Sequence, residues 1–212
     1  MVLAAGRGER MRPLTDQVPK PLLTVGGKPL IVYHLEKLSR LGVKHVVINL
    51  AWLGGQIRAA LGDGARWQLQ IHYSDEGEQA LETGGGILHA LPLLGPQPFL
   101  VVNADVFTEF DFGAVRIAPE ALAQLVLVAN PLHHPRGDFA LANGRVQEQG
   151  GARWTYSGIG LYRPELFASC SPGKFPLLPL LRRAIAGSRL HGQVFEGAWS
   201  DVGSVERLAA LQ

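Results

Sequence analysis

The sequence has little of what several common classes of protein require. It contains one cysteine, Cys170, among 212 residues, which excludes an internal disulfide and fits a reducing compartment. No stretch approaches the roughly 20 apolar residues of a membrane helix, and no charged segment precedes the apolar start as in a signal peptide. The formal net charge is only +2, without a dense Lys/Arg run. We therefore expect a soluble cytoplasmic protein that binds neither membranes nor nucleic acid.

Strand and helix signals alternate through the first half of the chain. Apolar residues recur at helical spacing between Pro29 and Leu41, and Gly42 follows as a stop signal. Apolar runs at 46–48, 69–73 and 99–102 predict strands, and residues 53–61 and 83–91 predict helices. Repeated strand–helix–strand units predict a doubly wound, mostly parallel, Rossmann-like α/β sheet with helices on both faces. The fully apolar strand at 99–102 is expected at its centre.

The pattern changes after about residue 120. Strands are predicted at 125–128, 139–141, 145–147 and 156–162, with turns at Asn143-Gly144 and Gly150-Gly151, and helices at 177–186 and 204–211. These strands indicate a small β-rich lobe added to the same sheet. We expect one domain, 1–212, with halves of about 1–120 and about 121–212.

The first apolar strand, 1–5, runs into a loop with glycines at 6 and 8 and arginines at 7, 10 and 12. Glycines let a backbone approach a ligand closely, and successive free N–H groups bind anions. Arginines add permanent charge with planar donors suited to phosphate. The loop therefore predicts a polyphosphate ligand, but it lacks the Gly-Lys-Ser/Thr of a P-loop.

The string Leu3-Ala-Ala-Gly-Arg-Gly-Glu-Arg-Met-Arg-Pro13, followed by Pro19-Lys-Pro-Leu22, resembles the sugar-1-phosphate nucleotidylyltransferases. The resemblance implies that the first loop wraps a nucleoside triphosphate and that Arg10 and Lys20 contact its phosphates. Glu9 stands where many members carry threonine. The nucleotide-binding residues implied here are Leu3, Ala4, Ala5, Gly6, Arg7, Gly8, Arg10 and Lys20.

Two aspartates lie in Asn103-Ala-Asp105-Val106 and in Trp199-Ser-Asp201-Val-Gly203. Each alone is typical of a turn or a helix cap, but together they resemble the two metal-binding aspartates of the family. Mg²⁺ typically takes one or two carboxylates together with substrate phosphates. The resemblance implies a Mg²⁺-dependent enzyme with Asp105 and Asp201 as metal ligands and Arg10, Lys20 and Asp105 as the catalytic set. Because Gly6 and Asp105 both follow apolar strands, we expect them at one sheet edge.

The nucleobase is expected against Leu81-Glu-Thr-Gly-Gly-Gly86, which resembles a Leu-Gly-Thr-Ala-Gly element of the family. The resemblance implies that Thr83, Gly84 and Gly85 lie against the base and ribose. Glu76 matches a position that often reads the base edge, and its alternative reading is a surface carboxylate.

The sugar side is less defined, because the Glu-Lys-Pro element of many relatives is absent and Gln147-Glu-Gln-Gly150 occupies that region. Candidate cations for the sugar phosphate are Arg153, Arg182 and Arg183, each of which also reads as a surface residue. Candidate sugar contacts are Asn103, Asp138, Ser157 and Gly158. His133 and His134 read as loop residues, and Trp52, Trp67 and Trp154 as packing residues.

Further segments narrow the resemblance to the N-acetylmuramate-1-phosphate uridylyltransferases of bacterial cell-wall recycling: Asn49-Leu-Ala-Trp-Leu-Gly54, His134-Pro-Arg-Gly-Asp-Phe139 and Tyr156-Ser-Gly-Ile159. The implied partners are UTP and a sugar 1-phosphate, for a monomer or small homo-oligomer. One alternative is a mannose- or heptose-1-phosphate guanylyltransferase, which an acidic Glu76 side chain on the base edge would favour. The other is a non-catalytic subunit that senses nucleotide sugars.

Overall fold

The structure, a computed structural model, describes residues 1–212. The chain forms thirteen strands and six α-helices. The strands are β1 (Val2–Leu3), β2 (Thr24–Val25), β3 (Lys28–Pro29), β4 (His45–Leu50), β5 (Gln70–Asp75), β6 (Phe99–Asn103), β7 (Val106–Thr108), β8 (Ala123–Val128), β9 (Phe139–Ala142), β10 (Arg145–Gln147), β11 (Arg153–Tyr162), β12 (Leu190–Phe195) and β13 (Trp199–Asp201). The helices are α1 (Leu14–Gln17), α2 (Leu30–Arg40), α3 (Gly54–Leu61), α4 (Glu82–Leu94), α5 (Leu178–Ala186) and α6 (Val205–Ala209).

Nine of the strands form one mixed sheet in the order β5-β4-β1-β6-β11-β8-β12-β10-β9. The first four are parallel to one another, and β11 runs antiparallel to both β6 and β8. The doubly wound α/β architecture predicted from the sequence is confirmed, and β6, expected at the centre, is an interior strand next to the central β11. In the second half, strands β8 to β12 join the same sheet, whereas β13 pairs with β7 in a separate two-stranded ribbon.

Helices cover both faces of the sheet because the central strands are apolar on both sides. On one face, Ile31 and Leu35 of α2 and Ile57 of α3 pack with Ile48 of β4. On the other face, residues of α4 and α5 pack against Val47, Val101 and Leu125. All six residues of β8 are buried, which explains why five of them are apolar; the sixth is Gln124.

The first strand ends sooner than the sequence predicts. β1 stops at Leu3 because the next N–H, that of Ala4, donates to the Asn49 side chain (2.8 Å) instead of a neighbouring strand. Its partners β4 and β6 are longer, so the loop that follows β1 lies at the carboxyl edge of three parallel strands. This edge is where ligands bind in doubly wound sheets.

A short ribbon brings the end of the chain to the same edge. β13 pairs antiparallel with β7, placing Asp201 opposite Val106, and Val202 N donates to Asp105 O (2.8 Å). The sequence did not predict this pairing, since both strands have only three residues. None of the helices has both the length and the apolar character needed to cross a bilayer.

Candidate active site

The loop after β1 presents a run of free backbone donors to a cavity of about 620 Å³. The N–H groups of Ala5, Gly6, Arg7 and Gly8 donate to no group of the chain. Gly8 has a φ of 68°, and a side chain there would begin 2.9 Å from Thr15 Cγ2, so this turn requires glycine. Free N–H groups on a curved backbone form an anion-binding concavity, as the sequence predicts.

Two arginines of this loop differ in how firmly they are held. The Arg7 guanidinium stacks 3.6 Å from the centre of the Trp52 ring and donates to Thr15 O (2.8 Å) and Asp16 Oδ1 (2.5 Å). The hydrogen bond from Arg7 lowers the pKa of Asp16. Arg10 is exposed, lines the cavity and makes no ion pair or hydrogen bond through its side chain. Arg10 is therefore available to an anionic ligand.

The sequence predicted that Trp52 is only a packing residue, but in the structure it also supports the loop after β1. Its ring lies under Arg7, and its Nε1–H donates to Thr15 O (2.9 Å), the same carbonyl that accepts from Arg7. Thr15 Oγ1 in turn donates to Gly8 O (2.9 Å). These contacts hold the loop from below and leave its N–H groups open.

Lys20 and Asp105 form an ion pair at the end of β6. The Lys20 side chain is only 12% exposed. Both residues line the cavity beside the loop after β1, residues 4–8, which we call the phosphate loop. The sequence assigned these residues to a phosphate and a metal ion respectively. In the structure each neutralises the other.

Asp201 is held in a comparable way by residues that the sequence reading did not assign to the site. Arg207 Nη1 lies 2.6 Å from both carboxylate oxygens, and His133 Nε2 lies 3.1 Å from Oδ1. Arg207 is on α6, whereas His133 comes from the loop after β8 and was read only as a loop residue. Arg207 follows Asp201 by six residues, whereas His133 comes from a distant segment that no local sequence signal links to Asp201.

The carboxylates of Asp105 and Asp201 fit a hard divalent cation whose remaining coordination positions are filled by substrate oxygens. The two carboxylates line one cavity at adjoining strand ends, and each has a cationic neighbour that could transfer to a phosphate. The chain has no cluster of three or more candidate ligands. Such a site needs phosphates and waters to fill it, which is how Mg²⁺ typically binds with nucleotides.

On the side expected to hold the base, Glu76 and Thr83 line the cavity. The Glu76 carboxylate is turned toward the protein: Oε1 accepts from Asn49 Nδ2 (2.7 Å) and Oε2 accepts from Leu81 N (2.6 Å). Asn49 was not assigned a role from the sequence, although it lies in one of the segments that carried the resemblance.

Gly84 and Gly85 were expected against the base, but they do not line the cavity. Both are buried in the first turns of α4 against the segment 173–175. A side chain at Gly84 would begin 2.6 Å from the Phe175 ring, one at Gly85 would collide with Gly173 O, and Gly85 N donates to Phe175 O (3.0 Å). These glycines are needed for close backbone packing, which a sequence cannot distinguish from close approach of a ligand.

A second cavity of about 350 Å³ extends from Asp105 and Asp201 toward β11. Three of the four predicted sugar contacts line it: Asn103, Ser157 and Gly158. Gly158 has a φ of 79°, and a side chain there would begin 2.7 Å from Asn103 Nδ2, so glycine gives Asn103 its space. The Ser157 hydroxyl is buried and donates to Val126 O (2.7 Å), which leaves its backbone at the cavity.

Asp138, the fourth predicted sugar contact, does not line this cavity. Its carboxylate accepts from Tyr156 N (2.7 Å) and lies 3.0 Å from His134 Nε2, so it holds the loop to β11. His134 and Tyr156 themselves line the cavity. Burial raises the pKa of Tyr156, whose hydroxyl is hydrogen bonded to that of Tyr162, so it stays protonated at neutral pH.

The three arginines considered for the sugar phosphate lie outside both cavities. Arg153 donates to backbone carbonyls, including Asp138 O and Glu148 O (both 2.6 Å). Arg182 pairs with Glu148 at 3.5 Å, and Arg183 donates to Leu166 O (3.2 Å). The arginine that lines the cavity of about 350 Å³ is Arg10, and Arg10 and Arg207 both line a third cavity of about 570 Å³ that also reaches Asp201.

Comparison with known proteins shows the family to which the chain belongs. The model of the nucleotidyl transferase family matches residues 1–139. The chain belongs to the nucleotidyl transferase family.

The similarity of this nucleotidyl transferase to two relatives covers essentially its whole length. It is 52% identical over 221 residues to the N-acetylmuramate alpha-1-phosphate uridylyltransferase of Neisseria meningitidis serogroup B, covering 100% of this chain and 96% of the relative. It is 39% identical over 227 residues to the protein of the same name from Caulobacter vibrioides, covering 99% and 94%. The crystal structure of HddC from Yersinia pseudotuberculosis, complexed with GMP-PN, shares the fold with a TM-score of 0.78 at 19% identity, covering 99% and 96%.

Proposed function

We propose that this nucleotidyl transferase joins UTP and N-acetylmuramic acid 1-phosphate, giving UDP-N-acetylmuramic acid and pyrophosphate in peptidoglycan recycling. The observation that carries the proposal is the 52% identity, over the whole chain, to a relative of that name. The site supports it with open phosphate donors, two carboxylates and a second cavity on one sheet edge. Residues 1–212 would act as one domain, with the nucleotide on the first half and the sugar on the second.

The reaction needs no general base from the protein. An ionised oxygen of the sugar phosphate attacks the α-phosphorus of UTP, a new P–O bond forms, and the bond to the bridging α–β oxygen breaks. Pyrophosphate leaves with that electron pair. The protein contributes positioning and charge neutralisation, which dominate phosphoryl-transfer catalysis.

The phosphate loop and its cations would hold the triphosphate. The N–H groups from Ala5 to Gly8 donate to phosphate oxygens, and Arg10 adds a guanidinium without a competing partner. Lys20 would move from Asp105 to a phosphate oxygen when the nucleotide binds, because the triphosphate carries more negative charge than the single Asp105 carboxylate.

Asp105 and Asp201 would hold Mg²⁺, which neutralises charge on the α-phosphate and sugar phosphate when bound. Asn103 and the backbone at Ser157 and Gly158 would contact the sugar, since they line the adjoining cavity. Arg207 would meet the anionic acceptor once Asp201 is engaged, because it contacts Asp201 and lines a cavity that Asp201 also lines.

The test is pyrophosphate release in the presence of Mg²⁺, with UTP, GTP, CTP and dTTP each paired with N-acetylmuramic acid, N-acetylglucosamine, glucose, mannose and heptose 1-phosphates. The proposal predicts the highest kcat/KM for UTP with N-acetylmuramic acid 1-phosphate. A preference for GTP with mannose or heptose 1-phosphate would retain the chemistry and overturn the substrate assignment. A folded protein that binds nucleotide but is inactive in every pairing would be a sensing subunit instead.

A further inference from the structure

Four residues form a continuous line of hydrogen bonds beneath the nucleotide cavity. Ala4 N donates to Asn49 Oδ1 (2.8 Å), and Asn49 Nδ2 donates to Glu76 Oε1 (2.7 Å). Leu81 N then donates to Glu76 Oε2 (2.6 Å). We refer to the Asn49 and Glu76 side chains as the relay. It joins the start of the phosphate loop to the segment that begins α4.

The relay has a fixed polarity. Both of its ends are backbone N–H donors, those of Ala4 and Leu81, so the side chains between them must present an acceptor at each end. Asn49 supplies one acceptor and one donor, and a carboxylate at position 76 supplies the two remaining acceptors. One amide and one carboxylate at positions 49 and 76 can satisfy all three contacts. Two amides would place a donor of one side chain against a donor of the other.

The surroundings of the relay restrict its movement. Asn49 is 4% exposed, and Glu76 is half-buried at the end of β5. A side chain at Gly86 would begin 2.5 Å from Glu76 Oε1 and 3.1 Å from Asn49 Nδ2, so the absence of a side chain at Gly86 lets the relay pass under the first turn of α4. A partly buried polar network in which both backbone N–H groups and both Glu76 oxygens are paired holds its elements in one arrangement.

We propose that Glu76 is a positioning residue, which acts with Asn49 to fix the distance between the loop after β1 and the segment 81–83, where the base is expected, and does not read the base edge. The proposal rests on the proposed function, since it concerns the same nucleotide site. Glu76 then sets affinity for any nucleotide that spans the two segments.

The test exchanges the chemistry of the two relay side chains. In Glu76→Gln or Asn49→Asp alone, one hydrogen bond of the relay is replaced by a donor–donor or acceptor–acceptor contact. In the double variant Asn49→Asp/Glu76→Gln, the carboxylate introduced at position 49 accepts from Ala4 N and from the amide N–H introduced at position 76. The amide oxygen at position 76 then accepts from Leu81 N. Every donor regains an acceptor, with the net charge unchanged.

We expect each single variant to weaken UTP binding roughly 10-fold, the size expected for one unsatisfied buried contact, and to lower Tm. The double variant should recover most of both losses. The measurements are the Kd of UTP by titration calorimetry, Tm, and KM against kcat for UTP and GTP. Glu78→Gln, on an exposed neighbour outside the relay, is the matched control and should behave as the wild type.

A base-reading Glu76 gives a different pattern. Glu76→Gln would then favour UTP over GTP, because an amide can both donate to and accept from uracil, and adding Asn49→Asp would recover nothing. That result would overturn the proposal. Failure of the proposed function is separable, because UTP affinity and Tm do not depend on turnover with any sugar phosphate.

Discussion

Arg207 Nη1 lies 2.6 Å from both carboxylate oxygens of Asp201, so one of the two carboxylates assigned to the metal is already neutralised by a residue of the last helix. The pair is partly buried, with the two side chains 21% and 26% exposed. A cation bound by Asp201 would compete with this guanidinium. We therefore expect Arg207 to affect how tightly the proposed site would take up Mg²⁺.

Arg207→Ala should lower the half-saturating Mg²⁺ concentration about 3- to 10-fold, the equivalent of losing a competing ion pair worth roughly 1 kcal/mol. The measurement is a Mg²⁺ titration of pyrophosphate release at saturating UTP and sugar phosphate. Arg182→Ala removes the same charge from an exposed pair with Glu148 and should leave the titration unchanged. A higher Mg²⁺ requirement in the Arg207 variant alone would contradict the competition.

Asp105→Asn should reduce kcat by at least about 100-fold, the loss typical of removing one group that stabilises transition-state charge. The change also leaves Lys20 without its partner. Circular dichroism and Tm should show a folded protein. Glu109→Gln likewise replaces a carboxylate by an amide, on an exposed side chain, and should keep its activity. Retention of wild-type kcat by Asp105→Asn would remove this residue from the site.

Trp52→Phe should raise KM for UTP about 5- to 10-fold with little change in kcat. The smaller ring weakens the cation–π contact with Arg7, and the variant loses the hydrogen bond to Thr15 O, each worth about 1 kcal/mol. Trp67→Phe is the matched control, because Trp67 also lies under an arginine, Arg66 at 3.8 Å, but away from the cavity. An equal effect of both substitutions on KM would indicate a general loss of stability.

We expect the protein to lose stability in mild acid because His34 is buried in its neutral form. Burial, aided by the charge of Lys37, lowers the pKa of His34 from 6.5 to about 4. Below about pH 6.5 the unfolded chain binds a proton that the folded chain does not, so stability falls as the pH drops toward 4. At pH 5 the contribution is about 2 kcal/mol.

The check is urea unfolding of the wild type and His34→Phe at pH 7 and pH 5. The Phe ring retains the apolar volume beside Phe112 but cannot titrate. The wild type should lose more unfolding free energy than the variant over this range. Identical losses would show that other groups produce the acid sensitivity.

Sequence alone identified most of the fold because its signals are local. The apolar runs of β4, β6 and β8 and the helical spacing of α2 are each contained within a few neighbouring residues. The phosphate loop and both aspartates were likewise found as short motifs, and the structure places them along one edge.

What the sequence did not reveal depends on contacts between distant residues. His133 reaches Asp201 from the loop after β8, the pairing of β13 with β7 brings Asp201 beside Asp105, and the glycines at 84 and 85 pack on the distant segment 173–175. The side-chain direction of Glu76 is set by Asn49, from a different strand. A motif gives the position of such a residue in the chain, but its role depends on which neighbours the fold supplies.

The most direct test of the account is to identify the product that the purified protein makes from UTP, N-acetylmuramic acid 1-phosphate and Mg²⁺. Mass spectrometry and ³¹P NMR should show UDP-N-acetylmuramic acid and pyrophosphate accumulating in equal amounts, with none formed by Asp105→Asn. Release of phosphate without a nucleotide sugar, or no product from a protein that binds UTP, would contradict the assignment of this site to uridylyl transfer.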